Sequence, residues 1–291
     1  MTDRDMPFII DSHQHFWDPA ARDYAWLTDP NIRRTFGPED LKPLLNENNV
    51  SATVLVQTAP DLDETREFLR LAARYEFIAG VVGWADLADP HLSRTLDDLQ
   101  SGEGGARLVG IRPQLHDEAD SGWLNQDDIQ RGLAIMAEAG LVYDLLIRPE
   151  HLAVSLTAAQ DFPHLRFVID HMAKPDIAGG EFEQWDAGIH EFAGLENVAC
   201  KLSGILVEAG EEWTIDDLRP YVRRVVEFFG PHRLMFGSDW PVSLLAADYG
   251  TVLRTFREVL DDLDLSEDDM TAIFGRTAVH WYGLDIPTNV T

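Results

Sequence analysis

Two histidines spaced one residue apart, in Asp11-Ser12-His13-Gln14-His15, are the first residues in this chain whose types and spacing could do chemistry. They follow the apolar run Phe8-Ile9-Ile10. Successive side chains of an extended strand point to opposite faces, so Asp11, His13 and His15 are expected on one face. Two neutral imidazoles at that spacing can converge on one divalent ion, and zinc is the kind of ion they suit. A hydrogen-bonded pair at a strand end has the same spacing, so the motif alone leaves both readings open.

Two further runs end in residues of the same kind. Leu234-Met235-Phe236-Gly237-Ser238 closes on Asp239, with Trp240-Pro241 behind it. A carboxylate at the end of a buried strand is costly unless it is paired or metal-bound. Asp239 is therefore a candidate metal ligand or acceptor of a proton from water. Phe167-Val168-Ile169-Asp170 runs into His171, followed by Lys174-Pro175. One histidine in such a place is more often structural. Three histidines and an aspartate at the ends of three apolar runs point to one reaction site.

The elements that must carry these residues alternate along the whole chain. Eight strand candidates stand out: Phe8–His15, Ala52–Ala59, Ile78–Leu87, Arg107–Leu115, Leu141–Arg148, Arg166–His171, Val198–Ser203 and Arg233–Asp239. Helical patterns separate them over Pro38–Asn48, Leu62–Tyr75, Pro90–Gln100, Asp127–Ala139, Glu150–Gln160, Glu181–Phe192, Ile215–Phe229 and Leu244–Leu263. A last helix over Ser266–Phe274 is capped by Ser266. Alternation of this kind predicts βαβ units and a parallel sheet. Eight strands and no Gly-rich dinucleotide fingerprint after the first favour one (β/α)8 barrel over residues 1–291, in the size range of about 250 residues usual for that fold. Barrel active sites lie at the strand C-terminal ends, where all four residues fall. The long stretch Phe16–Gly37 after the first strand is expected to cover that face as a lid. Ser101–Ala106 reads as a surface turn.

Composition excludes other classes. Asp and Glu number 51 against 23 Lys and Arg, a formal net charge of -28, which argues against a nucleic-acid partner. Only Lys42, Lys174 and Lys201 are lysines, and such a surface resembles those adapted to high salt. No apolar run is long enough to span a membrane, and MTDRDMPFII lacks a signal-peptide pattern, so a cytoplasmic enzyme is expected. The single Cys200 excludes an internal disulfide and a Cys-rich zinc site, and its apolar setting makes it a core residue. Trp17, Trp84, Trp123 and Trp240 are candidates for an aromatic pocket, with core or lid packing the alternative for Trp84 and Trp123.

Taken together, six motifs resemble the amidohydrolase-related lactone hydrolases, the sugar lactonases of the L-fuconolactonase and L-rhamnonolactonase type. They are Asp11–Trp17, Gly80–Trp84, Leu108–Arg112, Asp170–Pro175, Cys200–Gly204 and Met235–Pro241. The resemblance implies a TIM barrel that opens a cyclic ester with an activated water, using one divalent metal, zinc by preference, or none. It implies His13, His15 and Asp239 as metal positions, and Asp239 and His171 as catalytic ones. Arg112 and Lys201 match basic positions that suit a substrate carbonyl, hydroxyl or carboxylate, and a structural ion pair is the alternative. Trp17 and Trp240 are expected at the substrate. Two departures stand out. Binuclear relatives carry a bridging Lys or Glu and a further His on the middle strands, where this chain has Arg112 and Tyr143-Asp144, so a binuclear centre is not expected. The sugar lactonases usually place a histidine after the arginine, where this chain has Pro113; that bears on the substrate rather than the chemistry.

The expected function is thus hydrolysis of a small polar lactone, a sugar aldonolactone above all, with assembly as a homo-oligomer left open. A metal-dependent decarboxylase of the amino-carboxymuconate semialdehyde type is the alternative on the same barrel, and a non-catalytic binding barrel is the third class.

Overall fold

A computed structural model of the protein describes residues 8–286. The ends of the expected 1–291 barrel, including most of the stretch read for a signal peptide, lie outside the described residues. Eight parallel strands run in the order β1 to β8: Ile10–Gln14, Ala52–Val56, Ile78–Gly83, Leu108–Ile111, Val142–Leu145, Phe167–Ile169, Val198–Leu202 and Leu234–Phe236. Every residue in them is buried. Burial on both faces is why they read as nearly continuous apolar runs.

The helices are α1 (Pro38–Glu47), α2 (Leu62–Arg74), α3 (Leu92–Ser101), α4 (Asp127–Glu138), α5 (Leu152–Asp161), α6 (Phe182–His190), α7 (Ile205–Glu208), α8 (Ile215–Phe229), α9 (Tyr249–Asp261), α10 (Glu267–Thr271) and α11 (Thr277–Tyr282). The expected cap is present: Ser266 accepts from the Asp269 amide while Asp269 accepts from the Ser266 amide. The chain does not stop there as a helix at Phe274. It passes through a π-helical turn, Ala272–Arg276, into α11.

Two layers of packing follow from strand alternation. Ala52, Val54 and Val56 of β2 join Ile10, Val82, Val168 and Met235 in the barrel interior, where Trp281, Tyr282 and Leu284 pack against them. Leu55, Ile78, Ile111 and Leu202 pack outward with the helices. The seam between first and last strands closes just above β8. The Asp239 amide donates to the His13 carbonyl and the His15 amide to the Trp240 carbonyl, each at 2.8 Å, and Ser12 Oγ donates to the Phe236 carbonyl at 2.7 Å.

The stretch after β1 contains no regular helix. It returns on itself through a bridge between Trp17 and Phe36 and buries Tyr24, Leu27 and Ile32. Ser101–Ala106 is a surface turn, as expected, and it meets α2 closely at one point. Gly104 has a φ of 73°, and a Cβ there would lie 2.0 Å from the Leu69 carbonyl oxygen of α2, so only glycine fits. Among the described residues, no helix is long and apolar enough to cross a membrane.

Candidate active site

β1 and β8 set the centre of the site. His13 Nε2 and His15 Nε2 lie 3.0 Å apart, and Asp239 Oδ1 lies 3.7 Å from the first and 3.3 Å from the second. From β6, His171 brings its Nε2 to 3.9 Å from the same oxygen. All four side chains are buried. The residues singled out at three strand ends therefore share one constellation.

Asp11 does not share it. The pairing of β1 with β2 shifts register between Asp11 and Gln14, which breaks the simple alternation assumed from the sequence. The Asp11 carboxylate instead accepts from the Ser238 amide and hydroxyl, the His13 amide and Tyr249 Oη. It ties β1 to the loop that carries Asp239.

Hydrogen bonds fix how the imidazoles present themselves. His15 Nδ1 lies 2.8 Å from the Val56 carbonyl, which can only accept, so Nδ1 holds the proton and Nε2 offers a lone pair. His13 Nδ1 lies 3.3 Å from Asp170 Oδ1 and 3.1 Å from Lys201 Nζ. His171 Nδ1 meets Ser203 Oγ at 2.8 Å. Burial pushes His171 down to about 4, and it holds His13 well below the usual histidine range despite Asp170. For Asp239 burial works against ionisation, but the His171, His13 and His15 rings around it outweigh that cost and keep the carboxyl below the usual carboxylate range.

Below the histidines lies a buried charge network, the structural ion pairing that the sequence left open as the alternative for Arg112 and Lys201. Asp170 sits 2.9 Å from Lys201 Nζ and 3.1 Å from Arg112 Nη1. Lys201 also pairs with Asp144 at 2.6 Å, and Tyr282 Oη donates to Asp144 from the lower end of the barrel. Two cations meet two carboxylates, which is how four charges can be buried together. The partners can be read from the sequence as acidic residues in otherwise apolar runs, Asp144 within β5 and Asp170 just past β6.

The backbone at the site is strained. His171, Met172, Ala173 and Lys174 all have left-handed φ, from 48° to 62°, and Asp239 has 56°. Non-glycine residues adopt such angles only where the surroundings enforce them. Trp185 Nε1 donates to the Met172 carbonyl at 2.7 Å and the Lys174 amide to the His171 carbonyl at 2.8 Å. Gly204 and Gly237 make room: a Cβ on the first would lie 2.5 Å from His171 Nδ1, and one on the second 2.7 Å from His13 Cβ.

A cavity of about 300 Å³ opens above these groups. His15, His171 and Asp239 line it, with Arg112, Arg148 and Lys174 as its cationic walls. Of the two basic residues named from sequence, Arg112 therefore reaches the cavity while also pairing with Asp170. Lys201 does not line it. That lysine is fully buried among Asp144, Asp170 and His13, so its expected contact with substrate gives way to a structural one.

The aromatic expectation also changes. Trp17 donates to the Ile32 carbonyl and packs edge-on against Trp26 and Phe36, while Trp240 packs against Phe16 and Phe36. Both are buried in the core of the loop after β1, Trp240 packing into it from the turn after β8, and neither lines this cavity. Trp26 is the tryptophan at the cavity, and it is 38% exposed. Cys200 is buried, and burial pushes its thiol well above the usual range, in keeping with a core residue.

The donor atoms of His13, His15 and Asp239 all lie within 4.8 Å of one another, as do those of His13, Asp170 and His171. The first set fits one divalent ion. Its separations straddle the roughly 3.3 Å expected between ligands held about 2.0–2.1 Å from a tetrahedral ion. Asp170, in the second set, is already bound to Arg112 and Lys201. On the middle strands Tyr143 packs outward against Phe167, and Asp144 is held by Lys201 and Tyr282.

The chain is 42% identical to an L-fucono-1,5-lactonase of Burkholderia ambifaria over 288 residues, 97% of this chain and 98% of that one. A crystal structure of an amidohydrolase from Burkholderia multivorans with bound zinc superposes with a TM-score of 0.89 at 36% identity, covering 96% of this chain and all of that one. The 5-carboxyvanillate decarboxylase of Sphingomonas paucimobilis shares the fold alone, with a TM-score of 0.68 at 14% identity and coverage of 96% and 99%. The amidohydrolase family model matches residues 10–284, the span from β1 to just past α11 that builds the barrel and its constellation of three histidines and an aspartate. The chain belongs to the amidohydrolase family.

Proposed function

We propose that the protein hydrolyses a sugar aldonolactone with a water activated at Asp239. The observation that carries this reading is the approach of His13, His15 and His171 to one Asp239 oxygen at the floor of a cationic cavity. Likeness to an L-fucono-1,5-lactonase along nearly the whole chain supports it.

Arg112, Arg148 and Lys174 face the cavity, and their donors suit the lactone carbonyl and the carboxylate that forms from it. Asp239 accepts the proton as the oxygen of water bonds to the carbonyl carbon. The ring C–O bond then breaks, and the proton passes from Asp239 to the leaving alkoxide, giving a hydroxy acid. His171, held by Ser203, stands on the Asp239 side as a donor to the developing oxyanion or to a ring hydroxyl. His13, His15 and Asp239 are the residues that would hold a divalent ion, for which we favour zinc. Such an ion supplies Lewis acidity toward the carbonyl and lowers the pKa of water to roughly 7.

The test is a panel of aldonolactones followed with a pH indicator, run beside carbon dioxide release from aromatic acids. Acid release from a lactone is expected. Carbon dioxide release with no lactone opening would overturn the reading in favour of a decarboxylase.

A further inference from the structure

A second, larger cavity of about 490 Å³ abuts the first, and the two share Trp26, Thr58, Gln114 and Asp117 in their linings. Its character is different. Trp26, Trp84 and Trp123 contribute aromatic surface, while Asp23, Asp86, Asp117 and Glu118 supply carboxylates. Neither arginine nor lysine lines it, whereas the inner cavity has Arg112, Arg148 and Lys174.

Trp26 connects the two. Its Nε1 donates to the Thr58 carbonyl at 2.9 Å, and its ring meets Trp17 edge-on with centroids 5.1 Å apart. It is the one large hydrophobic side chain left exposed among the described residues. An exposed indole fixed by a hydrogen bond and by ring packing is a preformed flat surface, which loses little freedom when something stacks on it.

Aromatic faces beside carboxylates match the two sides of a neutral sugar ring, with C–H groups on its face and hydroxyl donors at its edge. Four carboxylates without a lining cation disfavour an anionic occupant. The inner cavity alone already reaches the lower end of the roughly 300–1,000 Å³ usual for small-molecule sites, so one lactone ring does not require the outer one. From this polarity we infer that the outer cavity is a subsite for a neutral hydroxylated substituent, and that the enzyme acts on glycosyl-substituted aldonolactones with the lactone ring inside and the added sugar outside. The inference rests on the lactonase reading and adds the substrate class.

The test compares D-glucono-1,5-lactone with maltobiono- and cellobiono-1,5-lactone, which share its ring and differ by an added glucosyl group. A glycosylated lactone is expected to have a kcat/KM about fivefold to tenfold higher, the factor a stacked ring is worth. Trp84→Ala and Trp123→Ala, tested separately, should each remove that advantage while leaving the unsubstituted lactone within about twofold. Glycosylated lactones that react no better than the plain one would overturn the inference and leave the lactonase reading standing, as would variants that slow all three substrates equally. Binding of maltitol and cellobiitol, followed by tryptophan fluorescence, is independent of hydrolysis. Binding lost in the two variants, with no lactone hydrolysed, would retain the subsite and reject the chemistry. Absence of both binding and hydrolysis would reject both.

Discussion

The backbone amide of Asp239 donates a 2.8 Å hydrogen bond to the carbonyl of His13, joining residues that lie at nearly opposite ends of the sequence. That bond helps close the barrel, and it also sets the Asp239 carboxylate beside the His13 and His15 rings. Closure of the sheet and assembly of the site are thus one structural event.

Asp239→Asn keeps the shape of the side chain and removes its capacity to accept a proton. Turnover on the best lactone is expected to fall by about 10²–10⁴. Unfolding free energy should fall modestly at neutral pH, because the surrounding histidines favour the ionised carboxylate and Asn forfeits that interaction. Lactone hydrolysis near wild-type rate by the folded variant would refute the role given to Asp239.

Lys201→Met tests the structural reading of that lysine. The substitution leaves Asp144 without a cation and Asp170 with Arg112 alone, where Lys201 meets them at 2.6 and 2.9 Å. Breaking a buried pair in this way typically costs about 3–5 kcal/mol, measurable by denaturant titration. Adding Asp144→Asn should recover part of the loss. A stable single variant with a raised KM would point back to substrate contact.

Gly204→Ala places a methyl group 2.5 Å from His171 Nδ1 at a left-handed φ of 68°. His171 must move or the turn must distort, so kcat should drop at least about tenfold with stability lowered by about 1–3 kcal/mol. Unchanged kcat would show that the placement of His171 is not critical.

His116 gives a pH dependence of definite sign. Burial, followed by nearby Lys174, Arg112 and Arg148, holds its pKa at about 3, against 6.5 in the unfolded chain. The unfolded state therefore binds the extra proton between those values, and stability contributed by the neutral ring is present above 6.5 and lost as pH falls toward 3. From pH 8 to pH 5, wild type should lose about 2 kcal/mol relative to His116→Gln. Parallel stability curves for the two proteins would contradict this.

Molar KCl should raise the melting temperature if the acidic surface is adapted to salt. Exposed carboxylates such as Asp261, Asp262, Asp264, Glu267 and Asp268 repel one another, and the Debye length shrinks to about 3 Å at 1 M. A melting temperature that is flat or falling from low salt to molar KCl would count against it.

Strand-end chemistry was legible because burial on both faces leaves apolar runs in which a histidine or aspartate stands out, as at His13, His15, His171 and Asp239. Alternation of strand and helix likewise specified the parallel barrel, since each pattern has its own period. Other features depended on contacts between residues far apart in the chain. The β1 register shift turned Asp11 toward Ser238 and Tyr249. Asp144 and Asp170 captured Lys201, and the loop after β1 buried Trp17 while leaving Trp26 at the cavity. Local sequence carries periodicity and the cost of burying a charge; which partner compensates that charge is decided only when β1, β5, β6, β7 and the turn after β8 meet around one axis.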